Sequence, residues 1–499
     1  MSRRSLLPGS VILGITLLTS ATALAGGFEI GENTARAVAR GGTGVVHTAD
    51  PSAVYFNPAL LPNAPERQIL LSSNFLDLQL QFQRADLVTP NESRSFEPVA
   101  NQSGIFPAPF LAASVDLGIE NLAIGAAVFG PPAYGNPCYG EIVDGDCLPV
   151  RESAARGMIN ETDLLVVFGA VGAGYRFDLT QDRAVSLGLT AALARMDTSF
   201  SVNANSIPGS EAGRENPNDE AIVRALNLTD LKPTAILGIS FQDGPLRVAA
   251  SYRPPIRWTG SGRAEVDFPN ALQGLQPTLT DEGITLETWH AGSLRMGWGI
   301  QLGEHPGLQD RPRFDLEVNA VWENWSLVDN FRIDLAGDVE FRGLPPDADG
   351  RYETQPLATV YQAKGYQDTW SLRMGASYGV HRLVTAHAGG FLETPAQSRA
   401  YTSVDFVSWE RYAPTAGLSL HLPAGLNLDL AYALIFSPDR EVATGTGQVY
   451  NPIPMSECRG PDFQASACSP RGTPPGHPQN EGSWQSRTQI FSAALSWQF

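Results

Sequence analysis

The chain has 499 residues, with 34 Lys and Arg against 52 Asp and Glu and a formal net charge of -18. That acidity makes nucleic acid a poor partner. Only 43% of residues are hydrophobic, the mean hydropathy is -0.11, and no long apolar run follows the first segment, which excludes a bundle of membrane-spanning helices.

The first element is an export signal. Arg3 and Arg4 form a basic start, residues 6–21 are mostly apolar, and Ala23-Leu24-Ala25 is a small-x-small cleavage site before Gly26. We therefore expect residues 1–25 to be a signal peptide. Residues 26–66 show no strand period; they are rich in Gly, Ala and Asn and end in Asn57-Pro58-Ala59-Leu60-Leu61-Pro62.

From residue 67 onward the period becomes two. Leu76, Leu78, Leu80 and Phe82 alternate with Asp77, Gln79, Gln81 and Gln83. Phe314, Leu316, Val318, Ala320 and Trp322 alternate with residues that include Asp315, Glu317 and Asn319, and Trp370, Leu372 and Met374 alternate with Ser371, Arg373 and Gly375. Charges on the second face cannot point into lipid, where Arg or Lys costs ~2–4 kcal/mol at the midplane, so we expect them to face a lumen. About fourteen such strands are expected, an even number. They start near Gln68, Phe106, Asn121, Asp163, Arg183, Pro233, Pro245, His290, Pro312, Asp368, Arg382, Trp409, Gly425 and Arg487. Short links alternate with long ones, which places every short turn on one side and every long loop outside. The final residues alternate Phe491, Ala493, Leu495, Trp497 and Phe499 against Ser492, Ala494, Ser496 and Gln498. A terminal Phe after such a strand resembles the signal read by the barrel assembly machinery. The pattern as a whole predicts an all-β, antiparallel transmembrane barrel in a bacterial outer membrane, surrounded by outer-membrane lipid and lipopolysaccharide.

Four cysteines form two close pairs among Pro, Gly and charged residues, Cys138 with Cys147 and Cys458 with Cys468. In an exported chain these read as two loop disulfides. Zinc spacing is lacking, so no metal is expected. The seven histidines show no H-E-x-x-H spacing, no serine sits in a nucleophile elbow, and neither an enzyme nor a cofactor is expected.

The whole chain after the signal resembles the FadL-like family of outer-membrane transporters for long-chain fatty acids and aromatic hydrocarbons. Gly26-Gly27-Phe28-Glu29-Ile30, Ala35-Arg36-Ala37 and Gly41-Gly42-Thr43-Gly44 look like the start of its hatch, and Asn57-Pro58-Ala59 matches its hatch motif. Ser251-Tyr252-Arg253-Pro254-Pro255-Ile256, Trp322-Glu323-Asn324-Trp325-Ser326 and Asp368-Thr369-Trp370-Ser371-Leu372-Arg373 look like later strand signatures. The resemblance implies a fourteen-stranded barrel (67–499) plugged by a hatch (26–66) that includes Gly26, Phe28, Asn57, Pro58 and Ala59. It also implies passive, monomeric uptake of hydrophobic molecules, foremost long-chain fatty acids, captured outside and released sideways at a kinked third strand.

Candidate residues follow from that mechanism. In the third long loop, Asn218 is expected to cap a helix carrying Ile222, Val223 and Leu226 on one face, and the fourth loop holds Phe268, Leu272 and Leu275. Together they are expected to form an apolar capture groove. Gly125, Gly130 and Pro131 mark the third strand as the lateral opening, because Gly and Pro in a strand signal bends or lost ladder bonds. Arg195, Arg295 and Arg373 are candidate partners for a substrate carboxylate, or else partners of Asp315, Glu317 and Glu323. The hatch is expected to be latched by Asn57, bonding to backbone or to Asp77, Gln79 or Arg373. The rival readings are a general porin, which needs an open lumen, and a structural or adhesive barrel.

Overall fold

In the computed structural model, the structure describes all residues except 1–32, 65, 90–91, 131–134, 206–215, 309–310, 358, 407 and 452–476. The expected signal peptide, Gly26, Phe28, Pro131, Cys458 and Cys468 lie outside the described residues.

Fourteen strands close a barrel. In chain order they are β1 Arg67–Arg84, β2 Phe106–Asp116, β3 Leu122–Phe129, β4 Ile159–Asp178, β5 Arg183–Asn205, β6 Glu220–Asp243 and β7 Leu246–Arg253. They continue with β8 Ser293–Glu304, β9 Pro312–Glu323, β10 Thr369–His381, β11 Val384–Glu393, β12 Arg411–His421, β13 Leu426–Val442 and β14 Gly482–Gln498. Each pairs antiparallel with the next, and β14 returns to β1 from Gln68↔Gln498 to Arg84↔Gly482, which leaves no open edge. Short turns, such as the one at Gly244, all fall at the end that carries Arg67 and Gln498.

The outward positions of the lower wall are apolar: Leu71, Phe75, Leu111, Leu189, Ile239, Val248, Trp298, Met374, Leu418 and Leu495 are all exposed. A side chain left uncovered by protein in this band is one that lipid covers. On one side the wall rises further. Ile256–Asp267 pairs with the upper part of β6 and with Gly283–His290, which pairs with Asn330–Leu335, which in turn pairs with Val360–Ala363.

β1 departs from its expected orientation. Ile69, Leu71 and Phe75 point outward in its lower half, as lipid requires. In its upper half the greasy residues Leu76, Leu78, Leu80 and Phe82 point into the lumen, and Asp77, Gln79, Gln81 and Gln83 point out. The parity never changes along the strand; the surroundings do. Above the lipid the outer face meets water, and the lumen is lined by an apolar cluster with Trp409, Trp484 and Ile435. Phe82 stacks on Trp484 at 3.9 Å between ring centroids.

The expected loop helix at 218–226 is also absent. Pro217–Asp219 is one 3-10 turn, capped by Asn216 rather than Asn218, and Glu220 begins β6. β-branched Ile222 and Val223 pair on both sides, with Asn203 and Val202 of β5 and with Asp267 and Val266, and cross-strand packing outweighs the local capping signal.

Candidate functional site

The lumen is filled by residues 33–63. Two helices, Ala35–Ala39 and Ala53–Phe56, precede a 3-10 helix, Pro58–Asn63. Helices of this length do not persist alone, so their order comes from packing. Ala35, Val38, Val54, Tyr55, Ala59, Leu60 and Leu61 are fully buried. Thr34 caps the first helix by accepting the Ala37 N–H at 3.3 Å. Gly41 and Gly42 end it with φ of +66° and +76°, and a Cβ on Gly41 would lie 2.4 Å from the Gly390 nitrogen, so only glycine fits there.

The wall accommodates the plug with glycines. A Cβ at Gly188 would lie 2.2 Å from the Ala59 nitrogen, and one at Gly238 would lie 2.1 Å from Asn57 Oδ1. Gly174, Gly299, Gly375 and Gly417 meet Pro58, His47, Arg40 and Ala39 in the same way. Gly125 belongs to this set: a Cβ there would lie 2.7 Å from Val54 Cγ2. β3 is paired with β2 and β4 through Phe129, so Gly125 lies inside a continuous ladder and faces the hatch. Gly130 follows the last paired residue, where the strand ends.

Polar bonds fix the plug in place. Asn57 Nδ2 donates to the Val45 carbonyl at 2.9 Å and to the Ile239 carbonyl of β6 at 3.3 Å, while its Oδ1 accepts the Ala59 N–H at 3.1 Å. Its partners are thus backbone groups. Asp77 and Gln79 face outside, and Arg373 donates to Glu393 at 2.8 Å. The stronger anchor is on β9. Glu317 accepts the N–H groups of Gly44 at 3.0 Å, Val46 at 2.9 Å and His47 at 3.3 Å. Asp315 binds Arg40 at 2.5 Å and His47 Nδ1 at 3.1 Å. Wall side chains take up hatch carbonyls: Thr190 donates to Val54 at 2.9 Å, Ser251 to Phe56 at 2.7 Å and Thr415 to Ala39 at 3.1 Å. Buried backbone is satisfied from the wall, as a dry interface demands.

Above the hatch lies an apolar chamber with an open mouth. Ile159, Leu164 and Val166 of β4, Met196 and Phe200 of β5, and Trp258, Leu286, Trp289, Phe331 and Phe406 line it, with Thr162, Thr198, Thr288 and His290 as its polar groups. No Lys, Arg, Asp or Glu is among its lining residues. A row of rings leads down from it. His290 lies 6.0 Å from Phe168, Phe168 is 5.2 Å from Phe129, and Phe129 is 5.1 Å from Tyr55 of the hatch. Sequence reasoning missed this chamber; the signal for it was the greasy face of the upper strands, which points inward.

The other expected residues separate. Ile222 and Val223 are buried in the wall, where Val223 packs with Val202 and Ala204, while Leu272 and Leu275 sit on a 3-10 helix, Asn270–Leu275, with no buried residue. Phe268 is half-buried. These residues do not form facing helices, so the expected groove is not built as described. Arg195 shares the outward parity of Leu189 and Leu193 and binds Asp197 at 3.2 Å, because the outer end of β5 rises above the apolar band. It faces away from any lumenal carboxylate. Arg295 and Arg373 do meet, at one small internal cavity with Glu323 and Phe56. Arg295 donates to the Tyr55 carbonyl at 3.2 Å and to its hydroxyl at 2.8 Å. Cys138 and Cys147 are disulfide-bonded in the loop after β3. Among the described residues no cluster of His, Cys, Asp and Glu could hold a metal.

A closed, lipid-facing barrel with a buried hatch and an internal apolar chamber is an outer-membrane channel for hydrophobic compounds. Residues 16–456 match the family model described as outer membrane protein transport protein (OMPP1/FadL/TodX), and the chain belongs to that family. Its fold is similar to that of a Pseudomonas aeruginosa FadL homologue, with TM-score 0.69, 15% identity, and 95% of this chain and 100% of that one covered. The P. putida toluene transporter TodX aligns with TM-score 0.61, 14% identity, and 94% and 99% coverage. The Ralstonia pickettii toluene transporter TbuX aligns with TM-score 0.56, 14% identity, and 95% and 100% coverage. No curated protein matches. The family's members are transport channels and not enzymes.

Proposed function

We propose that this channel admits neutral hydrophobic molecules of hydrocarbon type and holds them in the chamber above the hatch. The observation that carries this reading is the chamber's lining: aromatic and aliphatic, with hydroxyls and one imidazole but no formal charge. Transfer of apolar surface into such a site gains ~25 cal/mol per Å², whereas a carboxylate there would lose its hydration without a cation to replace it. The toluene transporters similar to this chain support the same substrate class. The long-chain fatty acid expected from the resemblance has one specific support, the meeting of Arg295 and Arg373 at one internal cavity. Release through the wall, if it follows the family's sideways route, belongs past Phe129, where β3 ends and the row of rings reaches the wall.

The test is displacement of a fluorescent hydrophobic probe from purified protein. Toluene is expected to displace it, and Trp258→Asp to weaken toluene binding tenfold or more, about 1.4 kcal/mol. Arg295→Gln is expected to leave toluene binding unchanged. Stronger displacement by oleate than by toluene, abolished by Arg295→Gln, would establish the fatty acid instead. Unchanged toluene binding in Trp258→Asp would remove the chamber from the route.

A further inference from the structure

Beneath the hatch, at the end of the short turns, the barrel holds a second, open-mouthed cavity. Its chemistry is opposite to that of the upper chamber. Four arginines line it, Arg36 from the hatch and Arg176, Arg247 and Arg311 from the wall and its turns, together with His305 and His421. The one carboxylate in the lining, Asp315, is already bound to Arg40 and His47. Arg176 is paired with Asp178 at 2.7 Å, and Arg247 donates to Gln242 at 2.7 Å and to the Val46 carbonyl at 3.3 Å.

Arg36 and Arg311 differ from these two. Neither makes a salt bridge or a side-chain hydrogen bond among the described residues, yet both face this cavity. Their charges act on each other: burial and the nearby Arg36 push Arg311 down to about 10, against the opposing pull of Asp50 and Asp429. At neutral pH the Arg311 guanidinium still carries its charge. Asp429 bonds Ser419, and Asp50 bonds Ser52, so each carboxylate has a hydroxyl partner and neither sits within ion-pair distance of the two arginines. Two forked donors with no side-chain partner among the described residues, reaching one cavity from two separate parts of the chain, match the way arginine reads an oxyanion.

We propose that this lower vestibule binds a small oxyanion, a phosphate or carboxylate group, between Arg36 of the hatch and Arg311 of the turn before β9. One ligand group then touches plug and wall together, so its binding braces the hatch against the barrel. This anion site is separate from the substrate chamber and does not depend on which hydrophobic molecule the channel carries.

Equilibrium dialysis of the detergent-purified full chain against radiolabelled inorganic phosphate, at constant ionic strength in chloride, tests it. One saturable site per barrel is expected. Arg36→Gln and Arg311→Gln are each expected to weaken it at least tenfold, while Arg183→Gln, at the exposed start of β5, leaves it intact. Arg311→Lys keeps the charge and is expected to retain part of the affinity. Excess acetate that displaces phosphate shows that carboxylates share the site; failure to displace assigns it to phosphate groups alone, and both outcomes support an oxyanion site. Uptake by wild type that rises linearly without saturation overturns the proposal. Saturable binding that Arg311→Gln removes but Arg36→Gln leaves unchanged overturns the bridge between hatch and wall.

Discussion

Asn57 ties the hatch to the wall through its amide, and Glu317 does so through a carboxylate that accepts three hatch N–H groups. Asn57 was legible, because an Asn before Pro58 in a Gly-rich stretch is constrained to extended backbone and has an amide to spend on neighbours. Its partners were not legible: they are the carbonyls of Val45 and Ile239, and main-chain positions carry no residue-type signal. Glu317 was read only as a lumenal charge awaiting an arginine. Its main partners turned out to be three consecutive-region N–H groups of the hatch. Asn57→Ala removes the side-chain donor to the Val45 and Ile239 carbonyls and the acceptor of the Ala59 N–H, and is expected to cost hatch docking about 1–3 kcal/mol. Glu317→Gln is expected to cost more, since the bonds it loses are charge-assisted and Arg40 loses part of its counter-charge. Both variants should still form heat-modifiable barrels, and both should raise small-ion conductance in planar bilayers, Glu317→Gln the more. Wild-type conductance in Glu317→Gln would show that the plug is held elsewhere.

At the scale of the element, period-two alternation located the strands but did not say which face is wet. β9 and β10 follow the expected rule, with Asp315, Glu317 and Arg373 inward and Phe314, Trp370 and Leu372 outward. Upper β1 reverses it, since that rule holds only at the height of the lipid. Above it, a channel for hydrophobic cargo is greasy inside and polar outside. Leu78→Ala should therefore cost about 2–5 kcal/mol, as for other buried leucines, whereas exposed Gln79→Ala should stay within about 0.5 kcal/mol. The shift in the urea concentration that unfolds the barrel measures both. Equal shifts would mean that upper β1 has no apolar lumenal face. The loop cysteines make a smaller claim at this scale: nonreducing peptide mapping should recover Cys138 linked to Cys147, and a Cys138 peptide joined to any other cysteine would contradict the hairpin Glu141–Val143 and Asp146–Leu148 that the bond closes.

At the scale of the whole molecule, the parity of short turns and long loops carried the strand count without any knowledge of pairing. Closure requires it: with antiparallel neighbours and both barrel ends on one side, fourteen strands leave every second connection on the far side. What the parity could not give was height. Residues 256–267 and 283–290 sit in a long connection by sequence, yet they continue the wall and supply Trp258, Leu286 and His290 to the chamber. Ile256, Trp258, Ala264 and Val266 alternate with Arg257, Thr259, Arg263 and Glu265, which marks a strand, but nothing in that alternation says that the strand pairs onto β6 as wall. The resulting asymmetry is testable in living cells. A cysteine placed at exposed Asp349, in the connection between β9 and β10, should react with a membrane-impermeant maleimide on intact cells. One placed at Gly244, where β6 turns into β7 and a Cβ meets nothing within 4 Å, should react only after the outer membrane is permeabilised. Substitution of Gly244, at φ +57°, strains the turn but leaves the strands on either side paired, so the site stays informative. Labelling of Gly244→Cys on intact cells, with protection of Asp349→Cys, would invert the barrel in the membrane and put the apolar chamber on the periplasmic side, where it could not receive a molecule arriving from outside.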